Sequence, residues 1–253
     1  MTRYEVVAEI EGEAAVSRIC QAYPDRIEVR GRDLTRDVKG TLSFTEYFHL
    51  LLTGHDPTAE QRFFLDLLLV AIAEHGLMPT DVAARMTLAT DPDSLHGAVA
   101  AGILGAGPVI LGAVESCARL LEGEGEPVAV VREIKAAGGK VPGFGHPVHK
   151  PVDPRAERIL ELADERGVSG AHVARARQFR DAVEEVYGKP LPMNVSMPIA
   201  AVMLDLGYAS ADVNAVPILA RTAGLLAHLA EERRHPVGWV MAKAAEEAVE
   251  YER

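Results

Sequence analysis

Along most of the chain apolar residues recur every three or four positions, in blocks bounded by glycine, proline or a capping side chain, and that period is helical. "SFTEYFHLLLTG" opens at Ser43, with Glu46 three residues on, and stops at Gly54. "TAEQRFFLDLLLVAIAEHG" repeats the plan from Thr58 to Gly76. "DPDSLHGAVAAGILGAG" and "PVILGAVESCARLLEG" read as two helices meeting at Pro108, and "EPVAVVREIKAAGG" as an amphipathic helix closed by glycines. In "DPRAERILELADERG", Asp153 takes the cap position and Pro154 the first helical one. Further helices are expected over "GAHVARARQFRDAVEEVYG", "PMNVSMPIAAVMLDLG", "VNAVPILARTAGLLAHLAEERRH" and "VGWVMAKAAEEAVEYE". Only "DRIEVRGRDL" suggests a short hairpin or turn. The pattern holds no long repeat and no sustained heptad, so the expected class is all-α.

Composition narrows the function. The chain has 253 residues, 48% hydrophobic, enough for a sizeable core in one large domain or two small ones. A formal charge of −11 argues against general nucleic-acid binding, so any anionic ligand must be met by local arginines and lysines. Cys20 and Cys117 make no framework and read as reduced thiols, which points to the cytoplasm. "MTRYEVVAEIEGEAAVS" carries scattered acids and no long apolar stretch, unlike a signal peptide. The uncharged run Gly97–Val114 reaches 18 residues, the length of a membrane-span candidate, but five are Gly, five Ala and one is Pro108. Such small residues suit a buried pair of closely approaching helices, as at a subunit contact, better than a lipid-facing span.

Candidate chemistry gathers in "GGKVPGFGHPVHKPVDPRAE". His146 and His149 lie three apart in a loop of glycines and prolines, but no nearby cysteine or third histidine completes a metal set, so no metal is expected. Phosphate-loop and nucleophile-elbow patterns are absent, and the glycine-rich "GAGPVILGA" follows a helix, not a strand. Arg155 follows His146 by nine residues, in the first turn of a helix. An arginine there can hold a carboxylate bidentately, and a nearby imidazole can exchange a proton with oxygen. Spacing alone leaves open the plainer alternative, a helix start beside a hydrogen-bonded turn histidine.

A series of motifs resembles the citrate synthase family. "VPGFGHPVHKPVDPRAERI" resembles its G-[FY]-G-H-x-V-x-x…D-P-R pattern; "RIEVRGRDLTRDVKGTLSFTEYFHLLLTGHDPTAEQ", "IAEHG", "TDPDSLHGAVAAGILGAGPVILGAV", "NVSM" and "ILARTAGLLAHLAEE" follow in the family's order. The resemblance runs from about Arg26 to Glu232 and is most like the short citryl-CoA lyase module of ATP-citrate lyase-like proteins. It implies a large helical domain, residues 1–111 and 205–253, and a small one, residues 112–204, which carries the GFGH loop. It implies a homodimer or higher homo-oligomer, and an enzyme that makes or cuts a carbon–carbon bond between an acyl-CoA and a 2-oxo acid such as oxaloacetate. The coenzyme A thioester is the substrate, with cleavage slightly favoured by size.

Residue by residue, His146 falls on the family's acid–base histidine, and His75, Arg155 and Arg221 on positions that grip the oxo acid. Lys150, Arg233 and Arg234 are candidates for CoA phosphates on charge alone. Two positions depart from the family: Ile110 stands where synthases have the enolate-stabilising histidine, and Ser196 where they have the aspartate base. Isoleucine cannot donate a hydrogen bond and serine is no carboxylate base near neutral pH. The substitutions suggest an acyl group other than acetyl, or else a catalytically silent paralogue that binds CoA or a dicarboxylate as a sensor or partner subunit. His96, followed by Gly97 and Ala98, imitates the missing histidine in sequence, but it lies too early and is expected to be a packed or capping residue.

Overall fold

The structure, a computed structural model, describes residues 16–252; the reading of the N-terminal segment falls mainly on residues outside these. The fold is all-α, with one small antiparallel sheet. By contact the chain divides into two units, residues 1–58 and 59–253.

In the first unit, β1 (Cys20–Ala22), β2 (Ile27–Val29) and β3 (Arg32–Asp33) pair in sequence order. The expected hairpin is β2–β3: Arg30 and Gly31 both take positive φ, 50° and 77°, as a two-residue type I′ turn requires. A single π-helical turn, Leu34–Val38, follows, capped by Asp33, whose carboxylate accepts from the Thr35 and Arg36 amides. Helix α1 (Phe44–Thr53) carries the predicted reciprocal cap: Ser43 accepts from the Glu46 amide, Glu46 accepts from the Ser43 amide, and Gly54 closes the helix at φ 87°.

The second unit holds α2 (Ala59–Ala73), α3 (Pro79–Thr90), α4 (Leu95–Leu104), α5 (Gly107–Ile110), α6 (Ala113–Glu122), α7 (Pro127–Ala136), α8 (Pro154–Glu165), α9 (Ala171–Tyr187), α10 (Ser196–Asp205), α11 (Ala215–Glu232) and α12 (Gly238–Ala248). Helix α10 is the centre of one cluster, packed on α6, α8 and α9, with α7 against α9. Every residue from Ser196 to Leu204 is buried, which its unbroken apolar run demands. Around α11 a second cluster forms from α2, α3 and α4, with α12 on α3.

Helix α3 is absent from the predicted elements because its buried positions are Thr80, Asp81, Ala84, Arg85 and Leu88, too polar to mark an apolar stripe. Its anchor is electrostatic: Arg85 donates to Glu232 at 3.0 Å, with both side chains 3% exposed, and also pairs with Glu231. Glu232 in turn accepts from the Val237 and Gly238 amides and so fixes the start of α12.

The small-residue run packs closely, as expected: a Cβ on Gly102 would sit 2.7 Å from Leu225 Cδ1 and 3.0 Å from the Thr80 carbonyl. The junction differs from expectation. Pro108 lies inside the separate turn α5, because Gly107 adopts φ 52° and breaks the chain before the proline. No helix among the described residues is long and apolar enough to cross a membrane.

Candidate active site

The GFGH loop is shaped by glycine. Gly143 has φ 78° and packs so tightly that a Cβ would lie 2.8 Å from Met197 Cβ and 2.9 Å from Cys117 Sγ; Gly145 has φ 90°. The segment before α10 pins the loop: the Gly145 amide donates to Pro192 O (2.8 Å), the Asn194 amide to Gly143 O (2.8 Å), and Asn194 Nδ2 to Gly145 O (3.1 Å). His146 therefore leaves a fixed backbone.

Its ring is fixed as well. Nδ1 accepts from the amides of Val148 (3.1 Å) and His149 (2.9 Å), so the neutral imidazole carries its proton on Nε2. Arg155 Nη2 stands 3.4 Å from that Nε2. Asp153, wholly buried, aims the arginine: Oδ1 accepts from Arg155 N (3.1 Å) and Nε (3.0 Å), and Oδ2 from Arg155 Nη2 (2.8 Å) and from Val195 N (3.2 Å). Burial pushes the Asp153 carboxyl upward, but the hydrogen bonds and charge of Arg155 outweigh it and hold the group below its ordinary range.

His146 and Arg155 line one cavity of about 680 Å³, whose polar lining also includes His75, Asn194, Ser196 and Arg221. Its apolar lining includes Ile72, Met78, Ile110, Val141, Phe144 and Leu191. The predicted His146, Ser196, His75, Arg155 and Arg221 thus converge, although they come from the end of α2, the loop, α8, α10 and α11. Arg221 is 3% exposed; its Nη1 lies 3.4 Å from Asp81 Oδ2 and 4.0 Å from Glu74 Oε2, and its Nε has no hydrogen-bond partner. Lys150, Arg233 and Arg234 are exposed and do not line the cavity; Arg233 lies roughly 18 Å along α11 from Arg221 at the helical rise. Lys140 and Tyr187 do line it, and neither is among the residues expected from sequence. Lys140 directly precedes the VPGFGH motif, the one local signal it carries. His96 is neither packed nor a cap, but exposed on α4.

His75 joins the loop histidines. Its Nε2 lies 3.2 Å from His149 Nε2, and the ring centroids of His146 and His149 are 4.4 Å apart. One nitrogen from each of the three rings falls within 4.8 Å of the others, a spacing that suggests a metal. With the neutral proton of His146 on Nε2, however, only two free lone pairs remain, below the count of a catalytic zinc site. A second group, Glu74, Asp81 and His228, fails likewise, because His228 Nδ1 accepts from Arg85 and its proton sits on Nε2.

Burial first, then the neighbouring cationic groups, lowers both His75 and His146 from the ordinary 6.5. The unfolded chain therefore binds more protons than the folded one between that value and the lowered ones, and stability rises with pH across the window. It is complete above about pH 6.5 and is lost as the pH falls below it. Thermal melts should show Tm dropping below about pH 6.5, with a shallower drop in His146→Gln. A flat Tm from pH 8 down to about 5.5 would contradict the burial of neutral imidazoles.

The family described as citrate synthase, C-terminal domain, matches residues 8–238. The citrate synthase-like protein oryE of Aspergillus oryzae is 31% identical over 222 residues, which cover 81% of this chain and 49% of that protein. The chain spans about half the length of the curated relatives it matches. Its fold is similar to that of citryl-CoA lyase from Hydrogenobacter thermophilus, with TM-score 0.79, 30% identity and 87% of each chain covered. ATP citrate lyase of Methanosaeta concilii, solved with (3S)-citryl-CoA, shares the fold with TM-score 0.79 at 20% identity, over 95% of this chain and 42% of that one. With its motifs in the family's order, the matching fold and this span of sequence similarity, the chain belongs to the citrate synthase family.

Proposed function

We propose that the protein cleaves, or in reverse forms, the carbon–carbon bond between an acyl-CoA and a 2-oxo acid such as oxaloacetate. The observation that carries the reading is one cavity lined by two guanidiniums, Arg155 and Arg221, and two imidazoles, His75 and His146, together with apolar residues such as Ile72, Ile110 and Phe144. Arg155 and Arg221 suit the carboxylates of the oxo acid, since a guanidinium binds a carboxylate in plane and bidentately. Similarity to a citryl-CoA lyase over 87% of each chain favours the cleavage direction. We further propose that the segment 112–204 closes over its substrate as a unit, that the chain works as a homodimer or higher homo-oligomer, and that Lys140 meets a CoA phosphate or a substrate carboxylate at the cavity mouth.

In this reading His146 Nε2–H meets the oxygen that is carbonyl in the oxo acid and hydroxyl in the joined substrate. As a donor it polarises the carbonyl toward attack. For cleavage the 3-hydroxyl gives up its proton, the bond between the carbinol carbon and the α-carbon breaks, and its electron pair leaves as the thioester enolate. For Nε2 to accept that proton, the existing ring proton has to move to Nδ1, and the Val148 and His149 amides have to let go of it. Opening of the His146–His149 turn is thus part of the cleavage step. No aspartate or glutamate lines the cavity among the described residues, so the enolate is protonated by another donor or by water.

Ile110 and the neighbouring apolar wall favour an acyl group bulkier than acetyl. Across a panel of 3-hydroxy-3-carboxyacyl-CoA thioesters, a branched or longer acyl member is expected to be cleaved with kcat/KM about tenfold or more above citryl-CoA, one added methylene being worth about that factor. Released oxo acid is the readout. Equal rates across the panel would defeat the acyl assignment. The lack of a cavity carboxylate also supports the second reading, a silent CoA- or dicarboxylate-binding paralogue. Tight binding of oxaloacetate or CoA with no turnover of any panel member would select it.

A further inference from the structure

We infer that Glu74 is a positioning residue that ties His75 and Arg221, the two sides of the oxo-acid grip, into one unit; this rests on the function proposed above. Glu74 follows the last residue of α2, where the negative end of the helix dipole disfavours a carboxylate. Its two oxygens have separate tasks. Oε1 accepts from the His75 amide (2.8 Å) and the Gly76 amide (2.6 Å), shaping the turn that presents the His75 ring. Oε2 lies 2.9 Å from His228 Nε2, the nitrogen that bears the ring proton, and 4.0 Å from Arg221 Nη1.

Helix α11 is built to reach this carboxylate. Arg221, Gly224, His228 and Glu232 follow at three- and four-residue intervals and so share one face. Gly224 lets that face close on α2: a Cβ there would run into the Ala73 carbonyl and come within 3.1 Å of Glu74 Oε2. His228 is itself oriented by Arg85, which donates to its Nδ1 from Nε (3.1 Å) and Nη2 (2.8 Å). Asp81 faces the same group from α3: its Oδ2 accepts from Arg221 Nη1 (3.4 Å), the Met78 amide (3.0 Å) and the Thr80 hydroxyl (3.2 Å), while Oδ1 has no hydrogen-bond partner and stands 3.7 Å from His228 Nε2. Of these two carboxylates, only Glu74 takes the His75 amide itself while also standing beside Arg221 and His228. Burial raises its carboxyl, and His228 with the two amides outweighs that and holds it ionised below the ordinary value.

The test uses Glu74→Gln, which keeps the shape and removes the charge. Isothermal titration with oxaloacetate is expected to show binding weakened about tenfold or more, as for loss of a charged hydrogen-bond partner, while coenzyme A binds within about twofold of the parent protein. In ligand-free protein, 15N-labelled imidazole spectra are expected to show His75 and His228 both shifted and the exposed His96 unmoved. A purely structural helix-end role would lower Tm without separating the two ligands. Unchanged oxaloacetate affinity or unchanged His75 and His228 signals would overturn the assignment. If the parent protein binds no oxaloacetate, the functional reading falls, and the imidazole spectra alone decide the role of Glu74. Should Glu74→Gln not fold, His228→Asn cuts only the Oε2 side: weakened oxaloacetate binding with His75 signals in place is the expected result, and intact binding would overturn the assignment.

Discussion

Replacing His146 by alanine is expected to cut turnover of the true acyl-CoA substrate by about a thousandfold or more, the combined scale of losing an acid–base group and an oxygen-directed donor. The fold should survive, because the side chain lies on a loop already held by Gly145, Asn194 and the segment before α10. Inside the loop, alanine only deprives the Val148 and His149 amides of the Nδ1 acceptor, at a cost of about 1 kcal/mol. His146→Gln separates two ways of working. A glutamine amide can still donate near the position of Nε2 but cannot take up a proton. Partial activity in Gln with none in Ala would mark His146 as a donor that polarises oxygen. Equal loss in both would mark proton acceptance and the turn opening it requires. Turnover in His146→Ala within about tenfold of the parent would end the mechanism.

The second large effect is expected at Asp153, a residue that family motifs carry only as the start of D-P-R. Its carboxylate caps α8, holds the Arg155 guanidinium by two side-chain hydrogen bonds and takes the Val195 amide next to Ser196. Alanine removes all of these together and leaves a cation, 20% exposed, without its partner. Breaking a buried pair in this way costs about 3–5 kcal/mol, which lowers Tm on the order of 10 °C in a chain of this size. Asp153→Asn keeps an acceptor for the cap and the amide, so its Tm should fall by less than half as much. Its oxaloacetate binding should still weaken by about tenfold, because Arg155 is no longer aimed by a charge. A Tm for Asp153→Ala within a degree or two of the parent would show that the pair contributes nothing to the fold.

Much of the local structure could be read directly from the chain. Ser43 with Glu46, Asp153 with Pro154, Gly54 and Gly188 mark helix ends because capping is a matter of one side chain and the next three amides. The turn at Arg30–Gly31 follows from the same short-range chemistry, while the small residues near Gly102 marked a close approach whose partners, Leu225 and Thr80, only the packing supplied. The order of the motifs was enough for the family, and it named the five residues that share the cavity.

What only the tertiary structure decided is whatever depends on which elements meet. Helix α3 stayed hidden because its inner face is polar and is satisfied by Glu232 and Arg221, residues more than 130 positions away. The meeting of His75 with His149, 74 positions apart, turned a loop histidine pair into a cluster of three. Nor could spacing tell which nitrogen of His146 bears the proton, since two amides folded back on Nδ1 settle it. By itself the sequence determined most of the helices, many of their caps and the kinds of groups at the site, because these rest on neighbours within a turn or two. The cavity that gathers cationic, imidazole and apolar side chains, and the carboxylate that joins α2 to α11, arise only when distant helices pack and exclude water between them.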